Sequence, residues 1–127
     1  SRWQRVWEAA RRINPRIHIW YHSDGNIISI IPELIEAGVD ILNPLQPECL
    51  DVDAVYRLYG DRVVFDGTIG TQSTMPFGNP ADVRARVREV AEKYGRHGGL
   101  IISPTHVLEP DVPIANVEAF VNACREC

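Results

Sequence analysis

Three times in this chain a stretch of helical periodicity runs through glycine directly into a short apolar run: "AGVDIL", "YGDRVVF" and "HGGLII". A fourth apolar run, "RIHIWYH", follows the opening helical stretch across Asn14 and Pro15. Apolar runs of this length, unbroken by polar alternation and separated by helices, predict strands buried on both faces of a parallel sheet. Parallel neighbours need crossover connections, which the intervening helices supply. The pattern restricts the chain to a small doubly wound sheet or a segment of a (β/α) barrel.

The helices are readable from spacing and end signals. Trp3, Val6, Trp7, Ala10 and Ile13 mark an amphipathic opening helix that Asn14 and Pro15 end. "IISIIPELIEAG" reads as a helix closed by Gly38, with Pro32 tolerable near its first turn. "DVDAVYRLYG" is a short helix with Asp51 or Asp53 as its cap. The clearest helix has Asn79 as N-cap, Pro80 first, Asp82 in the first turn, and a stripe of Val83, Val87, Val90, Ala91 and Tyr94. Ile114, Val117, Val121 and Cys124 mark a closing helix behind Pro113. Between them, "VDILNPLQP" is a strand stopped by Pro44 and Pro47, and "RVVFDGTIG" is one that turns at Asp66 and Gly67. "DGTIGTQ" matches neither the G-x-G-x-x-G nor the P-loop pattern and is read as a loop, so nucleotide binding has no sequence support.

Composition narrows the function classes. The 127 residues are 45% hydrophobic and 24% charged, as in a globular domain, and the formal charge of −4 leaves no basic surplus for nucleic acid or an anionic membrane. No apolar run approaches the roughly 20 residues of a membrane span, and the expectation is a cytoplasmic protein. Cys49, Cys124 and Cys127 do not suggest a disulfide framework; Cys124 and Cys127 form a C-x-x-C that reads as terminal helix. A chain that starts in helical register without Met and stops in a helix reads as a single partial domain over residues 1–127.

Polar residues collect at the carboxyl ends of the four strands. These are His22, Ser23 and Asp24; Asn43 and Gln46; Asp66, Thr68, Thr71 and Gln72; and Ser103, Thr105, His106 and Glu109. Parallel α/β folds place ligands and catalysis at that end. His18 and His22 share a strand face by the two-residue period, where a histidine is most simply a hydrogen-bonded structural group. Asp24 has an alternative use as a helix cap and His106 as an exposed loop residue, while His97 falls at the opposite end. If His22, Asp24 and His106 meet, two imidazoles and a carboxylate suit zinc with an open position; the same three can bind substrate or relay protons without a metal.

"HSDGNI", "LIEAGVDILNPLQP", "YGDRVVFDGTIGTQSTMPFGNPADVRARVRE" and "GGLIISPTHVLEPDVPIANVEAF", in this order, resemble the C-terminal half of the uroporphyrinogen decarboxylase superfamily. The resemblance implies the C-terminal half of a TIM (β/α)8 barrel, with about four parallel strands alternating with helices. It implies a parent that is a cofactor-free lyase removing acetate carboxyls from a porphyrinogen, or a zinc-dependent methyltransferase working with a corrinoid protein. His22 matches the methyltransferases' zinc histidine, Asp24 stands where they carry cysteine, and His106 replaces a later cysteine. Asp24-Gly25 and His106 are also similar to the decarboxylases' loops. The decarboxylases' key aspartate and carboxylate-holding arginines belong to the N-terminal half, so this chain alone is expected to be inactive.

The candidate substrate contacts are therefore His22, Asp24, Asn43, Gln46, Gln72 and His106, with zinc at His22, Asp24 and His106 as the one cofactor option. The competing expectation is an inert half-barrel. Four strands leave two free sheet edges, and two copies can close an eight-stranded ring as a homodimer.

Overall fold

The computed structural model describes all of residues 1–127, and in it four parallel strands lie in the order β1-β2-β3-β4. The elements are α1 (Arg2–Ile13), β1 (Trp20–His22), α2 (Ile31–Ala37), β2 (Ile41–Leu45), α3 (Val52–Tyr59), β3 (Val64–Ile69), α4 (Thr74–Phe77), α5 (Pro80–Tyr94), β4 (Leu100–Pro104) and α6 (Ile114–Glu126). Sequential order with no reversal decides between the two architectures. Right-handed crossovers between consecutive neighbours put every connecting helix on the same face, as in a barrel, whereas a doubly wound sheet reverses direction. The fold is half of an α/β barrel.

The covered face holds the core. Leu42 and Phe65 point to the helices and pack in one cluster with Val55, Val83, Val87, Val90 and Tyr94, all 2% exposed or less. Phe65, Tyr56 and Tyr94 meet ring to ring, with centroids 5.0 to 6.2 Å apart. The uncovered face is the one that would line a barrel. Trp20 is 50% exposed there and Ile101 44%.

Helix ends follow the local chemistry. Ser1 and Gln4 form a capping box on α1, and Asn79 and Asp82 form one on α5. Asp51 caps α3 by accepting from Ala54 N at 2.9 Å. Pro32 falls in the first turn of α2, where its missing N–H costs nothing, and Gly38 ends that helix at φ +103°.

Three expectations need correction, and one element was not foreseen. β1 occupies only Trp20–His22, so His18 lies outside the strand and shares no strand face with His22. β2 continues through Pro44, which follows a cis peptide bond. Proline is accommodated because the β2–β3 ladder is irregular between Leu42 and Leu45, where the missing N–H has no partner to lose. "DGTIGTQ" is not a loop throughout: β3 runs to Ile69, paired with β4 from Phe65↔Leu100 to Ile69↔Pro104. Gly67 (φ +105°) and Thr68 (φ +76°) are the left-handed residues that carry β3 past Pro44. The short helix α4 then follows, which apolar periodicity over four residues does not announce.

Candidate functional site

On the open face, Asp66 of β3 is the hub. Its Oδ2 accepts from Trp20 Nε1 at 2.8 Å and its Oδ1 from Ser103 Oγ at 2.7 Å, which ties β1, β3 and β4 together. Asp66 is 7% exposed, and both oxygens are engaged in holding the sheet. Beside it, the Trp20 and His22 rings stack with centroids 5.8 Å apart. His22 Nδ1 donates to Asn43 Oδ1 at 2.7 Å, which leaves Nε2 facing Asp24 Oδ2 at 3.5 Å. That contact is an ion pair only when the imidazole carries both protons.

Above the strands' carboxyl ends, Asp24, Gln46, Thr71, Gln72, His106, Val107 and Glu109 line a pocket of about 350 Å³. Each strand contributes through the segment that follows it. Gln46 is the buried member at 7% exposure, and its side chain makes no hydrogen bond within the protein although it faces this space. Thr71 and Thr105 hydroxyls meet at 3.1 Å and Thr71 N donates to Thr105 Oγ1 at 3.3 Å, which locks the loop after β3 to the one after β4. Glu48 Oε1 accepts from Ser73 Oγ at 2.7 Å and from Gln72 N at 3.3 Å, and so fixes the loop that presents Gln72.

A larger cleft of about 650 Å³ lies at the opposite end. Arg11 lines it while donating to Asp40 Oδ2 at 2.7 Å and to Gly38 O at 2.8 Å, and the same Asp40 oxygen accepts from Ile19 N at 2.6 Å. This is a clamp between α1, the start of β1 and the α2–β2 turn, and barrels use that end for stability. His18 and His97 line clefts there.

A model of the uroporphyrinogen decarboxylase (URO-D) family matches residues 2–127. The chain belongs to the uroporphyrinogen decarboxylase family. It is 29% identical over 93 residues to a uroporphyrinogen decarboxylase of Methylococcus capsulatus, covering 73% of this chain and 25% of that protein. It is 28% identical over 96 residues to one of Pseudomonas aeruginosa (76% and 26%), and 29% identical over 75 residues to one of Coxiella burnetii (59% and 20%). The match thus spans about a quarter of the length of these relatives.

For a family member, the placements of the expected site residues divide. Asp24, Gln46, Gln72 and His106 line the one pocket, whereas His22 and Asn43 sit as a bonded pair beneath it on the sheet. No three His, Cys, Asp or Glu side chains stand where they could hold one metal ion, so His22, Asp24 and His106 do not fit the zinc site. The reason is positional: His22 is held on the sheet by Asn43 and faces Asp24 from below, whereas His106 shares the pocket with Asp24 from the loop after β4.

Two features escape a residue-by-residue reading. Glu48, engaged with Ser73 and Gln72, was hidden in an apparently plain "QPECLD" loop. The charge distribution was visible but unread. The segments after the strands, residues 23–30, 46–51, 70–73 and 105–113, contain Asp24, Glu48, Asp51, Glu109 and Asp111 and no arginine or lysine. Arg16, Arg62 and Arg96 instead precede strands.

Proposed function

We propose that this chain is the C-terminal half of the barrel of a cytoplasmic uroporphyrinogen decarboxylase-family enzyme, a carboxy-lyase acting on the acetate groups of a porphyrinogen. It supplies one wall of the active-site mouth and does not turn over substrate alone. The observation that carries this reading is the convergence of Asp24, Gln46, Gln72 and His106 on one pocket at the carboxyl ends of four parallel strands. In this wall Gln46 has both a donor and an acceptor free for substrate, and Asp24 and His106 are the groups able to exchange a proton. The cations that neutralise a porphyrinogen's carboxylates come from strands outside these 127 residues.

The test is release of carbon dioxide from uroporphyrinogen by the chain alone and by the chain completed with the four missing strand–helix units. Turnover in the completed barrel only is expected, and His106→Ala should reduce it by about 100-fold or more, the lower end of a general acid–base contribution. A completed, folded barrel with no carboxy-lyase activity overturns the assignment. The wall's lack of arginine and lysine favours one other chemistry at the same mouth, methyl transfer from a corrinoid, for which methylcobalamin is the substrate to assay.

The free edges of β1 and β4 and the exposed Trp20 and Ile101 favour a further arrangement, closure of the half-barrel by a second copy. Light scattering that shows a monomer throughout the micromolar range rules it out.

A further inference from the structure

Gln46, Gln72 and His106 reach the pocket from the segments after three consecutive strands, and an unbroken set of bonds joins those segments. Gln46 opens a turn in which its carbonyl accepts from Cys49 N at 3.0 Å and from Leu50 N at 3.1 Å, and Glu48 is inside that turn. Glu48 Oε1 reaches across to Ser73 Oγ and Gln72 N after β3. Thr71, the residue before Gln72, is tied in turn to Thr105, the residue before His106. No other hydrogen bond joins residues 46–51 to residues 70–73. Glu48 therefore holds the first link of a chain that runs from Gln46 to His106, although it does not line the pocket itself.

Two features show that the structure accommodates this carboxylate at a cost. Glu48 Oε2 is buried and has no hydrogen-bond partner, so one oxygen has given up water for nothing. Gly70 leaves the carboxylate its space: a Cβ there would overlap Glu48 Oε1 and lie 2.8 Å from its Cδ. Helix capping does not account for the arrangement. Asp51 caps α3, and α4, which follows Ser73, has no side-chain cap bond. A local rule broken in this way, next to a pocket, is the pattern expected where function has fixed the geometry.

We infer that Glu48 is a positioning residue of the mouth. It touches no ligand; it sets where Gln72 stands relative to Gln46 and, through Thr71 and Thr105, relative to His106. The inference rests on the mouth being the catalytic site and names the residue that holds its polar groups in register. Small displacements of such groups are costly, because reaction needs them in place before the barrier is climbed.

The test has two arms. In amide proton–nitrogen NMR of the 127-residue chain, Glu48→Ala should move Gln46, Thr71, Gln72, Ser73 and His106 and leave Arg62 and Gly98, at the other end of the strands, in place. Glu48→Gln keeps an oxygen that can accept from Ser73 and Gln72, and should restore the parent positions. In the completed barrel, assayed by carbon dioxide release, Glu48→Ala and Gly70→Ala should each lower kcat by about tenfold with KM changed by less than about twofold. Glu48→Gln should stay within about threefold of the parent. Gly70→Ala added to Glu48→Ala should cost little more, since the carboxylate it would displace is already gone. Ser73→Ala removes one of the two bonds and serves as the milder variant, with a smaller loss in the same direction. Amide changes confined to residues 47–49, a Glu48→Gln variant as impaired as Glu48→Ala, or a full further loss in the double variant overturns the inference. A folded, completed barrel that releases no carbon dioxide with Glu48 intact overturns the reaction assignment instead, and the amide arm then decides the role of Glu48.

Discussion

Trp20 Nε1 donates to Asp66 Oδ2 at 2.8 Å, joining the first strand to the third across the open face of the sheet. The bond passes over β2 and therefore depends on the curvature of the half-barrel. Asp66→Ala removes this acceptor and that of Ser103 and should cost about 2 kcal/mol, in the range of hydrogen bonds to a charged group. Urea unfolding followed by tryptophan fluorescence reads the loss. A midpoint equal to that of the parent protein would mean that water satisfies Trp20 and Ser103 as well as Asp66 does.

Gly67 lies at φ +105°, and a Cβ there would meet Pro44 Cβ at 3.2 Å. Gly67→Ala adds left-handed strain to that contact and should destabilise by about 1–3 kcal/mol. Gly25 offers the control: it also has a positive φ, of +81°, but nothing lies within 4 Å of its Cβ position. Gly25→Ala should therefore cost less in the same thermal melt, and equal losses would show that the Pro44 contact is immaterial.

Asn116 is 1% exposed and its Nδ2 donates to Met75 O at 2.8 Å and to Gly78 O at 2.7 Å, fastening α6 to the α4–α5 segment. Asn116→Ala strands two carbonyls and should cost about 2 kcal/mol. Amide exchange should speed up in residues 74–79 more than in β1, and a uniform change would contradict a local role.

Tyr94 Oη and Lys93 Nζ each donate to Asp53 at 2.6 Å. The Lys93 hydrogen bond, then that of Tyr94, hold the Asp53 carboxyl below its ordinary 3.8. Burial first, then the bond to Asp53, pushes the Tyr94 phenol above its ordinary 10.0. For Asp53 the folded value is the lower one, so its contribution is complete above about pH 4 and is lost as pH falls. For Tyr94 the folded value is the higher one, so its contribution is complete below about pH 10 and is lost as pH rises past that. Tyr94→Phe should flatten the alkaline fall in the urea midpoint and leave most of the acid fall in place. An unchanged alkaline limb would assign it to other groups.

Much of the fold was legible because the longer helices carried end signals and each strand began as an apolar run. Asn79, Pro80 and Asp82 announce α5 without any tertiary information. What misled was punctuation by Pro44, Asp66 and Gly67. Proline and glycine normally break a strand, but here an irregular ladder tolerates the first, and neighbouring strands on both sides carry β3 through Asp66 and Gly67. Periodicity placed His18 with His22 because it cannot see that strand pairing begins only at Trp20. At the site, residue type and position after a strand sufficed to nominate Asp24, Gln46, Gln72 and His106. Which of them share a pocket depends on loop paths set by Thr71–Thr105 and Glu48–Ser73, contacts between residues 34 and 25 apart.

The central claim is that chemistry belongs to the carboxyl-end mouth and not to the larger cleft at the other end. The most direct measurement is kcat/KM for the completed barrel carrying Gln46→Ala at the mouth or Arg16→Ala in the opposite cleft. Loss of one hydrogen bond to substrate predicts a fall of about tenfold for Gln46→Ala, and Arg16→Ala should change the value by less than about twofold. A large loss with Arg16→Ala and none with Gln46→Ala would contradict the account.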